Sequence, residues 1–158
     1  MTAEHSPLNE PGTILELSSQ LCFATYATAH AFNRVYKPLL DPLGLTYPQY
    51  LVLLVLWQGD NITVKEIGQH LHLDSGTLTP LLKRLENAGI VRRTRDSHDE
   101  RQVRVSLTKQ GHDLKAPALK VWNEVVCATG LEAEKFRDLM DQLNALRASL
   151  NAHPGQRA

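Results

Sequence analysis

Hydrophobic positions recur at helical spacing over most of the 158-residue chain. In the N-terminal part, apolar residues three or four positions apart predict a helix that Thr13 caps and that runs to about Lys37, where Pro38 and a second proline break it. Pro48 then opens another helix, because a missing backbone N–H costs nothing at the first helical position. This helix runs to Gln58 and is apolar on nearly all sides, so we expect it at the centre of the core.

Two short helices with clear start signals follow. Thr63 and Glu66 have the spacing of a capping box, which predicts a helix over residues 64–71. Asp74 caps the next helix, which covers residues 75–88 and ends at a glycine. Two capped helices joined by so short a link predict a helix-turn-helix.

After residue 89 the spacing of apolar residues changes from that of a helix to that of a strand. Residues 90–95 and 102–107 both have strand-like patterns, and the charged stretch 96–101 between them predicts a β-hairpin. A core helix, two short helices and a hairpin, in that order, are typical of a winged helix-turn-helix domain. The predicted fold class is therefore mainly α with a small β-hairpin wing.

Two more helices are predicted after the hairpin. Thr108 caps a long helix that runs to about Thr129 and is kinked or interrupted near Pro117. The last helix covers residues 132–152, and its apolar residues lie close to heptad spacing. Because such a stripe requires a partner, we expect this segment to pack against another helix.

Composition excludes several classes of protein. The apolar and charged fractions, 42% and 22%, are those of an ordinary globular chain, and two cysteines are too few for a disulfide scaffold. The longest apolar stretch, residues 50–57, is too short to span a bilayer, and residues 1–11 lack the apolar core of a signal peptide. We therefore expect a cytoplasmic protein without membrane association.

The net charge is zero, but basic residues are concentrated in one segment. Residues 83–104 contain seven lysines and arginines against four acidic residues, an excess of three positive charges. A local basic patch on a neutral protein indicates a surface that binds phosphate groups, although a solvated charged face accounts for it equally well.

The helix over residues 75–88 has a face suited to the major groove of DNA. Its leucines face inward, and the opposite face is small or polar near the N-terminus and cationic near the C-terminus. An interior proline, Pro80, either distorts the first turn or moves the start of the helix to Thr79, and we favour distortion. The alternative is a surface helix of a helical bundle. The residues predicted to bind DNA are Ser75, Gly76, Thr77, Thr79, Pro80, Lys83 and Arg84 of this helix and Arg93 and Arg101 of the hairpin, with Asp99 supporting the wing.

Several motifs of the chain match a known family. They are Leu73–Glu86, Asp99–Arg101 and Leu107–Thr108, together with Gln20–Phe23, Tyr36–Asp41 and Leu45–Tyr50. The first three resemble the MarR family of transcriptional regulators. The last three resemble its OhrR branch, whose members are repressors that sense organic hydroperoxides. The resemblance covers roughly residues 14–150, and its cysteine and tyrosine set is more specific than the wing motif.

The resemblance implies a homodimer that binds pseudo-palindromic double-stranded DNA with two winged domains and is released by organic hydroperoxide. It implies a reactive Cys22 that is hydrogen-bonded to Tyr36 and Tyr47, with Tyr26 as a third tyrosine associated with the oxidised state. Cys127 resembles the second cysteine of two-cysteine members, which pairs with the reactive cysteine of the other subunit. The division of the chain that follows is a flexible tail at 1–12, dimerisation helices at 13–45 and 108–152, the winged domain at 46–107 and a tail at 153–158.

The spacing of Cys22 and Tyr36 constrains where such a sensor can lie. Fourteen residues separate them on one predicted helix, which is roughly 21 Å at about 1.5 Å per residue. If the helix is continuous they cannot touch within one chain, and the tyrosine must come from the partner subunit. Cys22 is also expected more than two turns inside the helix, beyond the reach of the helix-end field. This leaves the tyrosine hydroxyls and the helix start at Pro48 to stabilise its thiolate, the form that reacts with peroxide.

Oxidation then gives a mechanism for release. Hydroperoxide would oxidise Cys22 to sulfenic acid, and Cys127 of the partner subunit would resolve it as an intersubunit disulfide. A disulfide needs Cα atoms within about 7 Å, so the helices would move if the cysteines start farther apart. The two DNA-binding elements must stay about 34 Å apart to bind both half-sites, and such a movement would release the DNA.

Other interpretations of the same residues stay open. A MarR-type regulator that senses a small phenolic ligand without thiol chemistry keeps the DNA function, whereas a thiol peroxidase or a plain dimerisation module does not. Nothing in the pattern requires a cofactor, and no metal site is predicted because His70 and His72 do not share a helix face. The chain is therefore predicted to be a regulator and not an enzyme.

Overall fold

The computed structural model describes residues 14–153 of the chain. A 3-10 turn, Leu17–Ser19, leads into helix α1, Leu21–Leu40. The predicted cap, Thr13, lies outside the described residues. The helix begins at Leu21, later than predicted, because the backbone of Gln20 is extended (φ −89°, ψ 112°) and occupies the N-cap position.

Pro38 does not end α1, contrary to the sequence-based expectation. The helix continues to Leu40, whose side chain is only 1% exposed. Burial of this leucine outweighs the single backbone hydrogen bond that the proline removes. A second 3-10 turn, Asp41–Leu43, ends the segment, and Gly44 takes the left-handed conformation there (φ 67°).

Three helices follow with the predicted local signals at their starts. They are α2, Tyr47–Gln58; α3, Val64–Leu71; and α4, Ser75–Asn87. Thr63 and Glu66 form the predicted capping box: the Thr63 N–H donates to Glu66 Oε2 at 2.7 Å, and the Glu66 N–H donates to Thr63 Oγ1 at 3.2 Å. The backbone hydrogen bonds of Thr63 and its hydroxyl hold the pKa of the Glu66 carboxyl below its usual value.

The wing is a three-stranded antiparallel sheet in the order β1-β3-β2. Its strands are β1, Ile62–Thr63; β2, Val91–Arg95; and β3, Val103–Leu107. The predicted hairpin of β2 and β3 is confirmed. Strand β1 was not predicted, because two residues carry no periodic pattern, and it forms only by pairing Ile62 with Val105.

The hydrophobic core of the winged domain is built around α2, as its apolar sequence predicted. Tyr50, Val52, Leu53 and Leu56 of this helix are at most 1% exposed. They pack with side chains from the other helices and the sheet that are equally buried. These are Ile67, Leu78, Leu82, Leu85 and Val105.

The long helix predicted after the hairpin is interrupted near Pro117, as expected. The C-terminal helices are α5, Lys109–Asp113; α6, Lys115–Thr129; and α7, Ala133–Ala152. Thr108 caps α5 by accepting a hydrogen bond from the Gly111 N–H at 3.2 Å. The break falls at Leu114, because the ring of Pro117 cannot follow a regular helical turn.

The chain divides into two compact units, with the boundary between Val121 and Trp122 inside α6. Both units expose large apolar side chains. In the first unit they include Leu17, Leu21, Phe23, Tyr26 and Phe32, and in the second Leu139, Met140, Leu143 and Leu150. Exposed apolar stripes of this extent indicate surfaces that bind another molecule.

A membrane span is not evident within residues 14–153. No single helix there has both the length and the apolar character needed to cross a bilayer. One bent pair of segments, Leu21–Leu43 with Tyr47–Gln58, reaches that threshold by length and composition when the two are taken together. The second member of the pair is the buried core helix α2, and burial in the core accounts for its apolar sequence.

Candidate nucleic-acid interface and thiol site

Helix α4 presents the predicted face to solvent. All seven of its predicted DNA-binding residues are exposed: Ser75, Gly76, Thr77, Thr79, Pro80, Lys83 and Arg84. The helix is continuous from Ser75 through Pro80, so a later start at Thr79 is wrong. The Thr79 hydroxyl donates to the Ser75 carbonyl at 2.6 Å, and the Thr77 hydroxyl donates to Asp74 Oδ2 at 3.0 Å. Both hydroxyl oxygens therefore keep lone pairs that can accept from a base amino group.

A cleft of about 820 Å³ lies between α3, α4 and the strands of the wing. Its positively charged lining residues are Lys65, Arg93 and Arg101, and Ser75 and Thr79 line the α4 side. No aspartate or glutamate is among the described lining residues. A concave, cationic surface next to the exposed face of α4 is suited to a phosphate backbone.

The loop end of the wing is held by a carboxylate that sequence analysis missed. Asp96 is 6% exposed, forms an ion pair with Arg104 and accepts hydrogen bonds from the N–H groups of His98 (2.8 Å) and Asp99 (3.1 Å). The His98 N–H, the Arg104 guanidinium and the Asp99 N–H lower the pKa of Asp96 to about 2. Arg104 Nη1 also donates to the Asn61 carbonyl at 2.7 Å, which ties the wing to the loop before β1. The diagonal placement of Asp96 and Arg104 across the predicted hairpin was the available signal.

Asp99 makes hydrogen bonds within the wing loop, as expected of a residue that supports the wing, and Arg93 forms an ion pair within the chain. Asp99 accepts from the backbone N–H of Arg101 (3.1 Å) and from Gln102 Nε2 (3.0 Å), so it orders the loop and leaves the Arg101 side chain exposed. The guanidinium of Arg93 pairs with Glu86 at 2.6 Å and joins β2 to α4. Arg93 thus already has an intramolecular partner, and its contact with DNA stays a prediction.

Tyr36 and Tyr47 lie together, although they belong to different helices. Their ring centroids are 4.5 Å apart, and the centroid of Tyr50 lies 5.7 Å from that of Tyr36. Burial and then the neighbouring Tyr47 and Tyr50 raise the pKa of Tyr36 to about 12, and burial raises the pKa of Tyr47. At neutral pH both phenols are therefore protonated, and each keeps a hydroxyl that can donate a hydrogen bond.

Cys22 lies at the start of α1 and not deep inside it, which corrects the sequence-based expectation. It is the second residue of the helix and is exposed. In the first turn of a helix the backbone N–H groups have no partners within the helix and create a partial positive charge. The expectation was wrong because it placed the cap at Thr13.

The helix that joins Cys22 to Tyr36 is continuous. The two side chains therefore cannot touch within one chain. Tyr26 lies one turn after Cys22, is 61% exposed and contacts the rings of Phe23 and His30. Cys127 is exposed on α6, in the second compact unit. Both cysteines are free thiols in this chain.

Comparison with known proteins decides the family. Residues 34–117 match the family model described as Transcriptional regulator SarA/Rot. The chain belongs to the SarA/Rot family. Within residues 14–153 of this SarA/Rot protein, no group of three or more His, Cys, Asp or Glu residues could hold a metal ion. Since the members of the family are transcriptional regulators, this chain is a DNA-binding transcriptional regulator.

The SarA/Rot protein has relatives with informative names. It is 55% identical to the HTH-type transcriptional regulator TtmR of Methylorubrum extorquens, over 88% of this chain and 71% of the relative. It is 44% identical to the Organic hydroperoxide resistance transcriptional regulator of Bacillus subtilis, over 87% of this chain and 93% of the relative. The resemblance to the organic-hydroperoxide branch is thereby confirmed.

Solved structures of AbfR from Staphylococcus epidermidis have the same fold. Reduced AbfR bound to DNA matches with a TM-score of 0.72 at 37% identity, over 87% of this chain and 97% of that one. Disulfide-formed AbfR matches with a TM-score of 0.61 at 38% identity, over 85% of this chain and 95% of that one. The winged-helix fold class predicted from the sequence is confirmed.

Proposed function

We propose that this regulator is a homodimer that binds pseudo-palindromic DNA and is released when organic hydroperoxide oxidises Cys22. The observation that carries the proposal is the tyrosine pair. Tyr36 and Tyr47 lie together with protonated hydroxyls, while the exposed Cys22 lies roughly 21 Å away along the same helix. Across a dimer interface, the two hydroxyl groups of one chain would donate hydrogen bonds to the exposed Cys22 sulfur of the other chain. The Bacillus relative and the AbfR structures support a regulator whose thiol responds to peroxide.

The exposed apolar side chains support the dimer. Helices α1 and α7 both expose large apolar residues, which we assign to the interface between two copies of the chain. Two copies related by a twofold axis would place two α4 helices about 34 Å apart, in successive major grooves on one side of the duplex. Such a regulator acts on the chromosome, so we place it in the cytoplasm.

The chemistry begins with the thiolate of Cys22. It attacks one peroxide oxygen, the O–O bond breaks, and the leaving alkoxide takes a proton to become the alcohol. Cys22 is then a sulfenic acid. The thiolate of Cys127 of the partner subunit attacks this sulfur, the S–O bond breaks, and hydroxide leaves as water after taking a proton. The product is an intersubunit disulfide, and the change of spacing between the two α4 helices releases the DNA.

A DNA-binding titration tests this function directly. Protein with and without cumene hydroperoxide is titrated against its operator, with Cys22→Ser as the matched control. Oxidation should weaken binding by the wild type and leave Cys22→Ser unchanged. A dimer crosslink should appear on non-reducing gels in the wild type and be lost in Cys127→Ser. If Cys22→Ser still responds to peroxide, the thiol assignment is wrong.

A mixed dimer tests whether the site spans two chains. A dimer of one Cys22→Ser chain and one Tyr36→Phe chain keeps one intact site if the tyrosine comes from the partner, and none if it comes from the same chain. We expect such mixed dimers to show oxidation at the wild-type rate for their one remaining Cys22. Homodimers of Tyr36→Phe should oxidise more slowly at both copies of Cys22. Equally slow oxidation in the mixed dimer would place both groups in one chain.

A cleft between α1 and α2 favours a second candidate function. It has a volume of about 560 Å³ and is lined by Phe32, Asn33, Lys37 and Tyr47, among others. Asp41 also lines the cleft and pairs with Lys37 at 2.9 Å, so a small phenolic acid would bind there by replacing the Asp41 carboxylate on Lys37. In that case salicylate should release DNA from Cys22→Ser protein, and peroxide should not.

A further inference from the structure

We propose that Trp57 is a positioning residue that transmits the state of the tyrosine pair to the base of the wing. The inference rests on the proposed function. The observation behind it is a continuous series of ring contacts: Tyr36 to Tyr50 at 5.7 Å and Tyr50 to Trp57 at 6.4 Å between centroids. At the end of this series the indole Nε1 of Trp57 donates to the Gly111 carbonyl at 3.0 Å.

Helix α2 gives this series a rigid support. Tyr47 is its first residue, Tyr50 lies one turn later and Trp57 lies in its last turn. The helix is about 18 Å long at about 1.5 Å per residue, and it is packed on nearly all sides in the core. Close-packed interiors yield little to local strain, so a displacement at Tyr47 is carried to Trp57.

Helix α5, whose Gly111 accepts the hydrogen bond from Trp57, packs closely against the wing. A Cβ on Gly111 would lie 2.3 Å from the Ile90 carbonyl oxygen, so the backbone of α5 already touches the residue that precedes β2. Thr108 strengthens this contact, because its N–H donates to the same Ile90 carbonyl at 3.0 Å. A displacement of the Gly111 carbonyl would therefore move the start of β2 and the end of β3.

A single substitution at Trp57 can remove the hydrogen bond between α2 and α5. Trp57→Phe removes the indole N–H and keeps an aromatic ring next to Tyr50. Lys115→Met is the matched control, because Lys115 of α6 also contacts Trp57: its Nζ donates to the Trp57 carbonyl through a long 3.4 Å bond. The control removes a link between α2 and α6 that does not belong to the ring series.

The experiment measures operator affinity of reduced and hydroperoxide-treated protein for the wild type and both variants. We expect Trp57→Phe to bind DNA when reduced and to form the intersubunit crosslink, but to lose about tenfold of the wild-type ratio between oxidised and reduced dissociation constants, which is about 1.4 kcal/mol. Lys115→Met should keep the wild-type ratio. A wild-type ratio in Trp57→Phe, or an equal loss in both variants, overturns the proposal.

Fluorescence provides a second measurement in which Trp57 is intact. In a Trp122→Phe background, first checked for operator binding, Trp57 is the only tryptophan of the chain. Its emission should shift to longer wavelength on oxidation, because the indole N–H exchanges its carbonyl partner for water, and should not shift when Cys22→Ser is added. Constant emission during DNA release overturns the role of Trp57 and leaves the proposed function standing. If the wild type does not release DNA on oxidation, both fail.

Discussion

Gly111 is the position where one added methyl group tests the packing at the base of the wing. An alanine Cβ there would lie 2.3 Å from the Ile90 carbonyl oxygen and 3.0 Å from Leu107 Cδ2. The carbonyl is held by a hydrogen bond from the Thr108 N–H at 3.0 Å, so it does not turn aside freely. In Gly111→Ala, helix α5 must therefore move away from the entry of β2.

The net cost follows from two opposing effects. Alanine is favoured over glycine in a helix by about 1 kcal/mol. Inserting a methyl group into a closely packed site costs about 1–3 kcal/mol, and a contact with backbone lies at the upper end of that range. We expect Gly111→Ala to lower the free energy of unfolding by about 1–2 kcal/mol. At about 2–4 °C per kcal/mol, the melting temperature should fall by about 2–8 °C.

Urea unfolding at one fixed protein concentration measures this loss, because the stability of an oligomer depends on concentration. Gly59→Ala is the matched control. Gly59 has a negative φ of −151°, and a Cβ there meets nothing within 4 Å. Its unfolding midpoint should stay close to that of the wild type. If Gly111→Ala and Gly59→Ala unfold at the same urea concentration, the close packing of Gly111 against the Ile90 carbonyl does not limit the size of this residue.

Three further changes test other parts of the molecule. Lys83→Ala should weaken binding to all duplexes alike and lower the slope of log affinity against log salt by about 1 per chain, which filter-binding titrations would measure; an unchanged slope contradicts a phosphate contact. Asp96→Asn should remove an acid-sensitive part of the stability. Because folding lowers the pKa of Asp96 from 3.8 to about 2, its contribution is complete above 3.8 and is lost as the pH falls towards 2, so urea midpoints of wild type and variant should converge in that range. Thr63→Ala should lower the free energy of unfolding by about 1 kcal/mol through loss of the α3 cap, and a change below the error of urea unfolding would show that Glu66 caps without it.

Features that depend on a few neighbouring residues could be predicted from the sequence. The bounds of α3 follow from Thr63 and Glu66, because a capping box is a local arrangement of side chain and backbone. The break near Pro117 is equally local, since the ring clashes with its own preceding turn. The hairpin follows from alternation that one buried face imposes on each strand.

Features that leave no mark in the local pattern of apolar and polar residues could not be predicted. The start of α1 is set by the extended Gln20, whose side chain donates to the Ile14 carbonyl, and no pattern in the helix itself announces this. Strand β1 exists only because β3 offers it free backbone groups. The tyrosine pair was implied by resemblance alone, because Tyr36 and Tyr47 are brought together by the turn between α1 and α2.

The corrected start of α1 changes the account of what stabilises the Cys22 thiolate. The helix N-terminus belongs to the same chain as the cysteine. In the proposed dimer the hydrogen bonds come from Tyr36 and Tyr47 of the partner subunit, and a hydrogen bond to a charged group is generally stronger than the interaction with a helix end at an exposed site. The larger share therefore depends on assembly. It follows that a free chain would hold a less reactive thiol, and that the dimer, the form that binds two half-sites, would be the form that reacts with peroxide.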